Sequence, residues 1–152
     1  MPDESCVAAV ESRTVRSVMR AEFVAVEPEE SLLTATRLMR LARLRHLLVV
    51  RRGVLVGVVS HRDVIESLLE DLEADRTTTR AEVLGASPVE RIMRSPPDAV
   101  SEDCSLQQAA ERMLQLRIGC LPVVVGARDG PHVVGLLTES DLLRAAYIGR
   151  CS

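Results

Sequence analysis

The feature that most constrains this chain is an internal repeat. At a shift of 74 residues the two copies share identical residues, among them Val15 and Val89, Met19 and Met93, Arg20 and Arg94, Ser31 and Ser105, and Leu47 and Leu121. Later in the unit the shift becomes 78, because the second copy has a longer hairpin. At that shift the matches include Gly57 with Gly135 and Asp63 with Asp141. A period of this length indicates that one structural unit occurs twice.

Each copy has the local pattern of a β-α-β-β-α unit. In copy one, Ser31 is placed to cap a helix whose apolar residues recur every three or four positions from Leu32. Two aliphatic runs, residues 46–50 and 54–59, predict a β-hairpin, and an amphipathic helix containing Val64 closes the unit. Copy two repeats this order. Because units of about 55 residues bury too little surface to be stable alone, we expect an α+β fold in which the two units pack through their sheets.

The repeat also sets the expected domain boundaries. We expect an N-terminal tail at residues 1–13, a first unit at 14–72, a linker at 73–87, a second unit at 88–148 and a C-terminal tail at 149–152. The linker is rich in Asp, Arg, Thr and Glu, which is typical of a polar tether.

Composition argues against several classes of function. The net charge of −3 and a pI of about 5.7 give no overall positive field to attract nucleic acid. Phe23 and Tyr147 are the only aromatic residues, which are too few to stack bases. The four cysteines form no C-x-x-C pair, so neither a zinc site nor a disulfide framework is indicated. With no signal-peptide pattern and no long apolar run, we expect a cytoplasmic protein without nucleic-acid, membrane or metal partners.

The sharpest functional pattern is the segment 57–63 and its counterpart 135–141. Each contains a glycine, two aliphatic residues, a hydroxyl residue (Ser60 or Thr138) and an aspartate three positions later. Capping of the following helix accounts for the hydroxyl and the carboxylate. A glycine in a strand, however, often marks a close approach to the backbone, and a carboxylate beside free helix amides can bind ribose hydroxyls next to a phosphate. The pattern alone leaves capping and nucleotide binding both open.

The repeated unit resembles a cystathionine-beta-synthase (CBS) domain. The resemblance rests on a helical V-x-x-x-M opening, a second strand of the form R-x-L-x-V or C-L-P-V-V, and the G-h-h-S/T-x-x-D ending, where h is aliphatic. It covers about residues 14–147, nearly the whole chain. It implies a CBS pair with pseudo-two-fold symmetry and two clefts between the repeats, and such pairs commonly dimerise into a flat disk.

The resemblance also implies which residues bind a ligand. Ser60 and Asp63 would hold a ribose in the first cleft, and Thr138 and Asp141 would do so in the second. The adenine pockets would be lined by Phe23, Val24 and Ala25 in the first cleft and by Pro97, Asp98 and Ala99 in the second. The positions that often touch phosphate are Arg45 and His46 in copy one and Gly119 and Cys120 in copy two.

The two clefts are therefore expected to differ. His61 and Arg62 add phosphate donors in copy one, whereas copy two has Glu139 and Ser140, and an acid there opposes a polyphosphate. We expect a phosphorylated nucleotide to prefer the first cleft, with the second empty or holding an uncharged adenosyl group. His46 is equally well explained as a residue at the end of a buried strand that contacts no ligand. Cys120 lies on an aliphatic strand, which favours a small core residue.

Together these inferences predict a standalone sensor with no catalytic residues and no required cofactor. AMP, ADP or ATP would change the shape of a homodimer that an unidentified effector protein recognises. S-adenosylmethionine or NAD(H) is an alternative ligand, because a ribose-binding aspartate does not distinguish adenosyl compounds. A ligand-free dimerisation or protein-interaction module is the other alternative. An enzyme is disfavoured because the sequence shows no paired acid and base and no nucleophile beside a base.

Overall fold

The fold is built from two compact units, as seen in a computed structural model that describes residues 13–148. Within this range, one unit is Phe23–Pro97, and the other joins the residues up to Glu22 with those from Asp98 to Ile148. Each contains a three-stranded sheet in which the first strand is parallel to the second and the second is antiparallel to the third. The predicted α+β fold class and its β-α-β-β-α order are confirmed.

The unit Phe23–Pro97 carries the first sheet. Its elements are β1 (Ala25–Val26), α1 (Leu32–Ala42), β2 (His46–Arg51), β3 (Val54–Ser60), α2 (His61–Ala74), α3 (Arg80–Ala86) and a 3-10 helix (Val89–Arg91). Leu32, Leu47 and Val59 are fully buried in one apolar cluster of this unit. The core is aliphatic, as the composition requires.

The other unit carries the second sheet. Its elements are a 3-10 helix (Val15–Ser17), β4 (Val100–Ser101), α4 (Leu106–Leu116), β5 (Cys120–Ala127), β6 (Gly130–Thr138), α5 (Glu139–Leu143) and a π-helical turn (Arg144–Ile148). Leu106, Leu121 and Leu137 are the largest fully buried side chains of its apolar cluster.

The helix ends explain why the repeated residues recur. Ser31 and Ser105 cap α1 and α4, and Ser105 also forms a capping box with Gln108. Both helices end at an arginine in the left-handed conformation, Arg43 and Arg117, each with φ of 54°. Because this conformation stops a helix and turns the chain, both copies enter the second strand in the same way.

The short segment that opens each repeat belongs to the compact unit that contains the sheet of the other repeat. We call residues 14–20 and 88–94 the opening segments. Val15 is fully buried in the cluster that contains Leu121 of the second repeat, and Val89 is fully buried in the cluster that contains Leu47 of the first. The boundaries of the sequence repeats and of the compact units therefore do not coincide.

The segment 73–87, expected to be a polar linker, contains a helix. Thr79 and Glu82 form a capping box at the start of α3. Val83 and Leu84 are 7% and 3% exposed, and Leu84 belongs to the apolar cluster of its unit. The charged composition concealed this helix, because only two apolar residues attach it to the core.

Candidate ligand site at the strand-to-helix junctions

The aspartate of the first junction closes a capping box. Ser60 precedes α2, and its Oγ accepts a hydrogen bond from the Asp63 backbone N at 3.1 Å. In return the Ser60 backbone N donates to Asp63 Oδ2 at 2.9 Å. Both residues therefore satisfy amides that the first turn of a helix leaves without partners. The capping interpretation of this pattern is confirmed.

The second junction has the same box with one additional bond. Thr138 Oγ1 accepts from the Asp141 backbone N at 3.3 Å, and the Thr138 backbone N donates to Asp141 Oδ2 at 2.9 Å. Thr138 Oγ1 also donates to that carboxylate oxygen at 2.8 Å. Asp141 is 5% exposed, and it has one more hydrogen bond to Thr138 than Asp63 has to Ser60.

The glycine of each motif is required by the chain itself. A Cβ at Gly57 would lie 2.6 Å from Met93 Sδ, and one at Gly135 would lie 2.8 Å from the Arg20 backbone O. The opening segments cross the third strands here, pairing Arg94 with Val58 and Arg20 with Leu136 through backbone hydrogen bonds. What approaches the glycine backbone is therefore an opening segment, and the glycines carry no evidence for a ligand.

Each aspartate also contacts an arginine that the sequence pattern did not predict as part of the site. Arg20 Nε donates to Asp141 Oδ1 at 2.8 Å, whereas Arg94 Nη2 lies 3.5 Å from Asp63 Oδ1. The two arginines occupy equivalent positions of the repeat, next to the recurring methionines. That match was the available signal, but sequence spacing does not show which junction an opening segment reaches.

We call the predicted first and second clefts the first and second sites. Several residues predicted for the first site lie at one end of the first sheet. His46 begins β2 and pairs with Ser60 at the end of β3. The His61 backbone N donates to the Arg45 backbone O at 2.8 Å, and Val24 accepts from the backbone N of Leu48 at 3.2 Å. Strand pairing thus brings the residues predicted to contact ribose, adenine and phosphate in the first site to neighbouring strands.

The remaining first-site residues differ in exposure. Phe23 is half-buried, while Ala25 is exposed. Arg62 is exposed on α2 and lies 3.6 Å from Glu66 in an i,i+4 ion pair. Such a pair contributes little to stability in water, so Arg62 can release Glu66 for another anion.

The residues predicted for the second site show the same strand pairing as those of the first. Cys120 pairs with Thr138 across β5 and β6 and is 4% exposed. The Glu139 backbone N donates to the Gly119 backbone O at 3.0 Å. Pro97 is the last residue of the other compact unit.

Asp98 and Ala99 lie beside α4. Asp98 Oδ1 is 2.9 Å from Arg112 Nη2. Ala99 lines a groove of about 330 Å³ together with Ser101, Cys104 and Gln108, and Thr138 and Asp141 do not line it. That Asp98 and Ala99 contact the same ligand as Asp141 stays a prediction.

Titratable groups in the described part of the chain give no indication of metal or thiolate chemistry. Among residues 13–148, no group of three His, Cys, Asp or Glu side chains is arranged to hold a metal ion. Burial raises the pKa of the Cys104 thiol, so it is protonated at neutral pH. No helix within those residues is long and apolar enough to cross a bilayer.

Both repeats match a known protein family. The sequence profile described as CBS domain matches the chain twice, at residues 15–70 and 89–148. These matches cover well over half of the chain. The chain belongs to the CBS domain family. The predicted resemblance is confirmed, and the two matches make the protein a tandem CBS pair.

Relatives of this CBS pair include small proteins and longer ones. The CBS domain-containing protein YhcV of Bacillus subtilis is 29% identical over 129 residues, which is 85% of this chain and 82% of YhcV. The crystal structure of protein MJ1225 from Methanocaldococcus jannaschii superposes with a TM-score of 0.81 at 27% identity. That match covers 92% of this chain and 50% of MJ1225.

One similar structure contains a nucleotide. The crystal structure of CBSX2 in complex with AMP has a TM-score of 0.72 and 28% identity to this CBS pair. The match covers 89% of this chain and 96% of CBSX2. At this coverage the likeness extends over both CBS repeats.

Proposed function

We propose that this CBS pair is a regulatory module that binds an adenosine-containing ligand, with AMP, ADP or ATP preferred. Binding would change the shape of the pair, and an effector protein would recognise that change. The likeness to CBSX2 in complex with AMP over 89% of the chain supports the class of ligand. No catalytic step is part of the proposed function.

The observation that carries the proposal is the carboxylate of Asp63 at the start of α2. Its Oδ2 is used by the capping box, whereas its Oδ1 has the 3.5 Å contact with Arg94. An ionised carboxylate offers about four acceptor positions, so Asp63 keeps capacity for the two hydroxyls of a ribose. The Asp63 side chain is 14% exposed, which gives a ligand access to that oxygen.

The basic residues around this junction favour a phosphorylated ligand at the first site. Arg45, His46, His61 and Arg62 all lie at or next to the ends of β2 and β3. The corresponding part of the second site has Gly119 and Cys120 at the start of β5, and Glu139 and Ser140 after β6. Arginine pairs with phosphate through two parallel hydrogen bonds, while the Glu139 carboxylate repels it. AMP, ADP or ATP should therefore bind first at Asp63.

Thermal stability measured with a panel of ligands tests this function. The panel contains AMP, ADP, ATP, NADH, S-adenosylmethionine and GMP, each with the wild type and with Asp63→Asn and Asp141→Asn. A ligand that binds only the folded state stabilises it by about 2.7 kcal/mol at a hundredfold excess over Kd. We expect an adenine nucleotide to raise the melting temperature, and Asp63→Asn to abolish the rise. GMP is the control for nucleotides in general.

A ligand-free dimerisation module is the second candidate function. Both aspartates already have partners within the chain, and the closing helices expose apolar side chains. These are Ile65 and Leu69 on α2, and Leu143 and Tyr147 at the end of the second repeat. Exposed apolar side chains on one element are suited to a second copy or another protein. No stabilisation by any ligand of the panel would favour this candidate over a nucleotide sensor.

A further inference from the structure

We propose that the Arg20 side chain occupies the second site in the free protein. Nucleosides would then bind at this site only when the Arg20 side chain is displaced. The inference rests on the proposed function, because it concerns the carboxylate that a ribose would use. It assigns a role to a residue of the first opening segment. Arg20 would determine which of the two junctions binds ligand.

The carboxylate of Asp141 already has three close donors. Thr138 N and Thr138 Oγ1 lie 2.9 and 2.8 Å from its Oδ2, and Arg20 Nε lies 2.8 Å from its Oδ1. Hydrogen bonds from charged donors to carboxylates at such distances are the strong ones in proteins. The side chain of Asp141 is 6% exposed. Of the roughly four acceptor positions of a carboxylate, about one is left on Asp141, so both hydroxyls of a ribose can bind it only if Arg20 is displaced.

The equivalent contact at the first site is weaker. Arg94 Nη2 is 3.5 Å from Asp63 Oδ1, a distance outside the range of a charge-assisted hydrogen bond. The Asp63 side chain is 14% exposed, more than twice the value for Asp141. Arg94 therefore leaves Asp63 accessible, although the two arginines occupy the same position of the repeat.

The ion pair of Arg20 is separate from the backbone contact that holds its segment. The Arg20 N and O are both hydrogen-bonded to Leu136, at 2.9 Å each. Replacing the side chain leaves these two bonds in place. The loss of Arg20 uncovers a buried carboxylate, which is unfavourable in the free protein. Ribose hydroxyls can supply the missing donors, so a variant without Arg20 should bind a nucleoside at Asp141.

Equilibrium binding of adenosine tests the proposal, because adenosine is uncharged and its binding does not depend on phosphate attraction to Arg20. Asp63→Asn serves as the background, since it removes the first site's charge and keeps an acceptor for Ser60 N. We expect wild type to bind one equivalent and Asp63→Asn to lose that binding. Adding Arg20→Met should restore binding at least about tenfold, a factor equal to ~1.4 kcal/mol. Adding Asp141→Asn should abolish it again.

Two controls separate occupation of the site from a structural role. Arg20→Lys keeps a cation beside Asp141 and should give no gain. Arg94→Met in an Asp141→Asn background should change adenosine affinity by less than about threefold, because Arg94 does not close Asp63. Circular dichroism checks that each variant folds. If Arg20→Met does not fold, Arg20→Gln, which is uncharged and can still donate one hydrogen bond, takes its place.

The possible failures are distinguishable. If wild type binds adenosine through Asp63 but Arg20→Met restores nothing in the Asp63→Asn background, Arg20 does not close the second site. Two equivalents bound by wild type would contradict the proposal as well. If neither wild type nor any variant binds adenosine, adenosine recognition at these junctions is wrong, and the role of Arg20 is rejected with it.

Discussion

Gly57 and Gly135 show that a glycine in a strand can be required by the packing of the chain itself as well as by a ligand. From sequence, a glycine before the S/T-x-x-D pattern suggested that a ligand approaches the strand. The structure places Met93 and the Arg20 backbone O at these positions instead. Sequence could identify Ser60, Asp63, Thr138 and Asp141 as a recurring set, because capping and spacing are local. It could not identify Arg20 and Arg94 as their partners, since those contacts join residues far apart in the chain.

The glycines give a prediction for stability. Gly135→Ala should lower the free energy of unfolding by about 1–3 kcal/mol, because the new Cβ would overlap backbone that cannot move cheaply. Gly57→Ala should cost less, since its closest contact is the flexible side chain of Met93. Urea denaturation measures both. Gly126→Ala is the control, because no atom lies within 4 Å of its Cβ position. Equal effects at positions 126 and 135 would contradict the close approach.

At the scale of elements, the segments with a regular apolar pattern were predictable, whereas helix α3 and the packing of the opening segments were not. Strands β2, β3, β5 and β6 follow from aliphatic runs around turn residues, and α1 and α4 follow from a serine cap and a regular apolar stripe. Helix α3 was missed because its seven residues include only two buried ones. The exchange of the opening segments was also missed. A short helical turn carries no local signal for the sheet on which it packs.

Helix α3 gives a prediction at this scale. Leu84→Ala should destabilise the fold by about 2–5 kcal/mol, because it removes a buried side chain from the apolar cluster of its unit. Arg80→Ala, at an exposed position of the same helix, should change stability by less than about 0.5 kcal/mol. Thermal unfolding followed by circular dichroism compares the two. If both variants melt like the wild type, the segment is the simple tether that its composition suggested.

At the scale of the whole molecule, the duplication supplies two junctions that differ in charge and in closure. The first combines an accessible aspartate with nearby cationic side chains, whereas the second combines a covered aspartate with Glu139. Family membership and fold class were predictable, because the repeat, its order and its motifs are all visible in the sequence. Of the differences between the two junctions, the difference in charge was predictable and the difference in the exposure of the aspartates was not. The phosphate donors are local in sequence, but the length of each arginine contact is a property of the folded chain.

The central claim, that Asp63 forms the working nucleotide site, is tested most directly by isothermal titration calorimetry with AMP. We predict that AMP binds the wild type, that Asp63→Asn weakens binding by at least about tenfold, and that Asp141→Asn leaves it nearly unchanged. The factor of ten corresponds to the loss of one charge-assisted hydrogen bond, about 1.5 kcal/mol or more. An absence of AMP binding to the folded wild type would contradict the claim. So would a loss of binding in Asp141→Asn with Asp63→Asn unaffected.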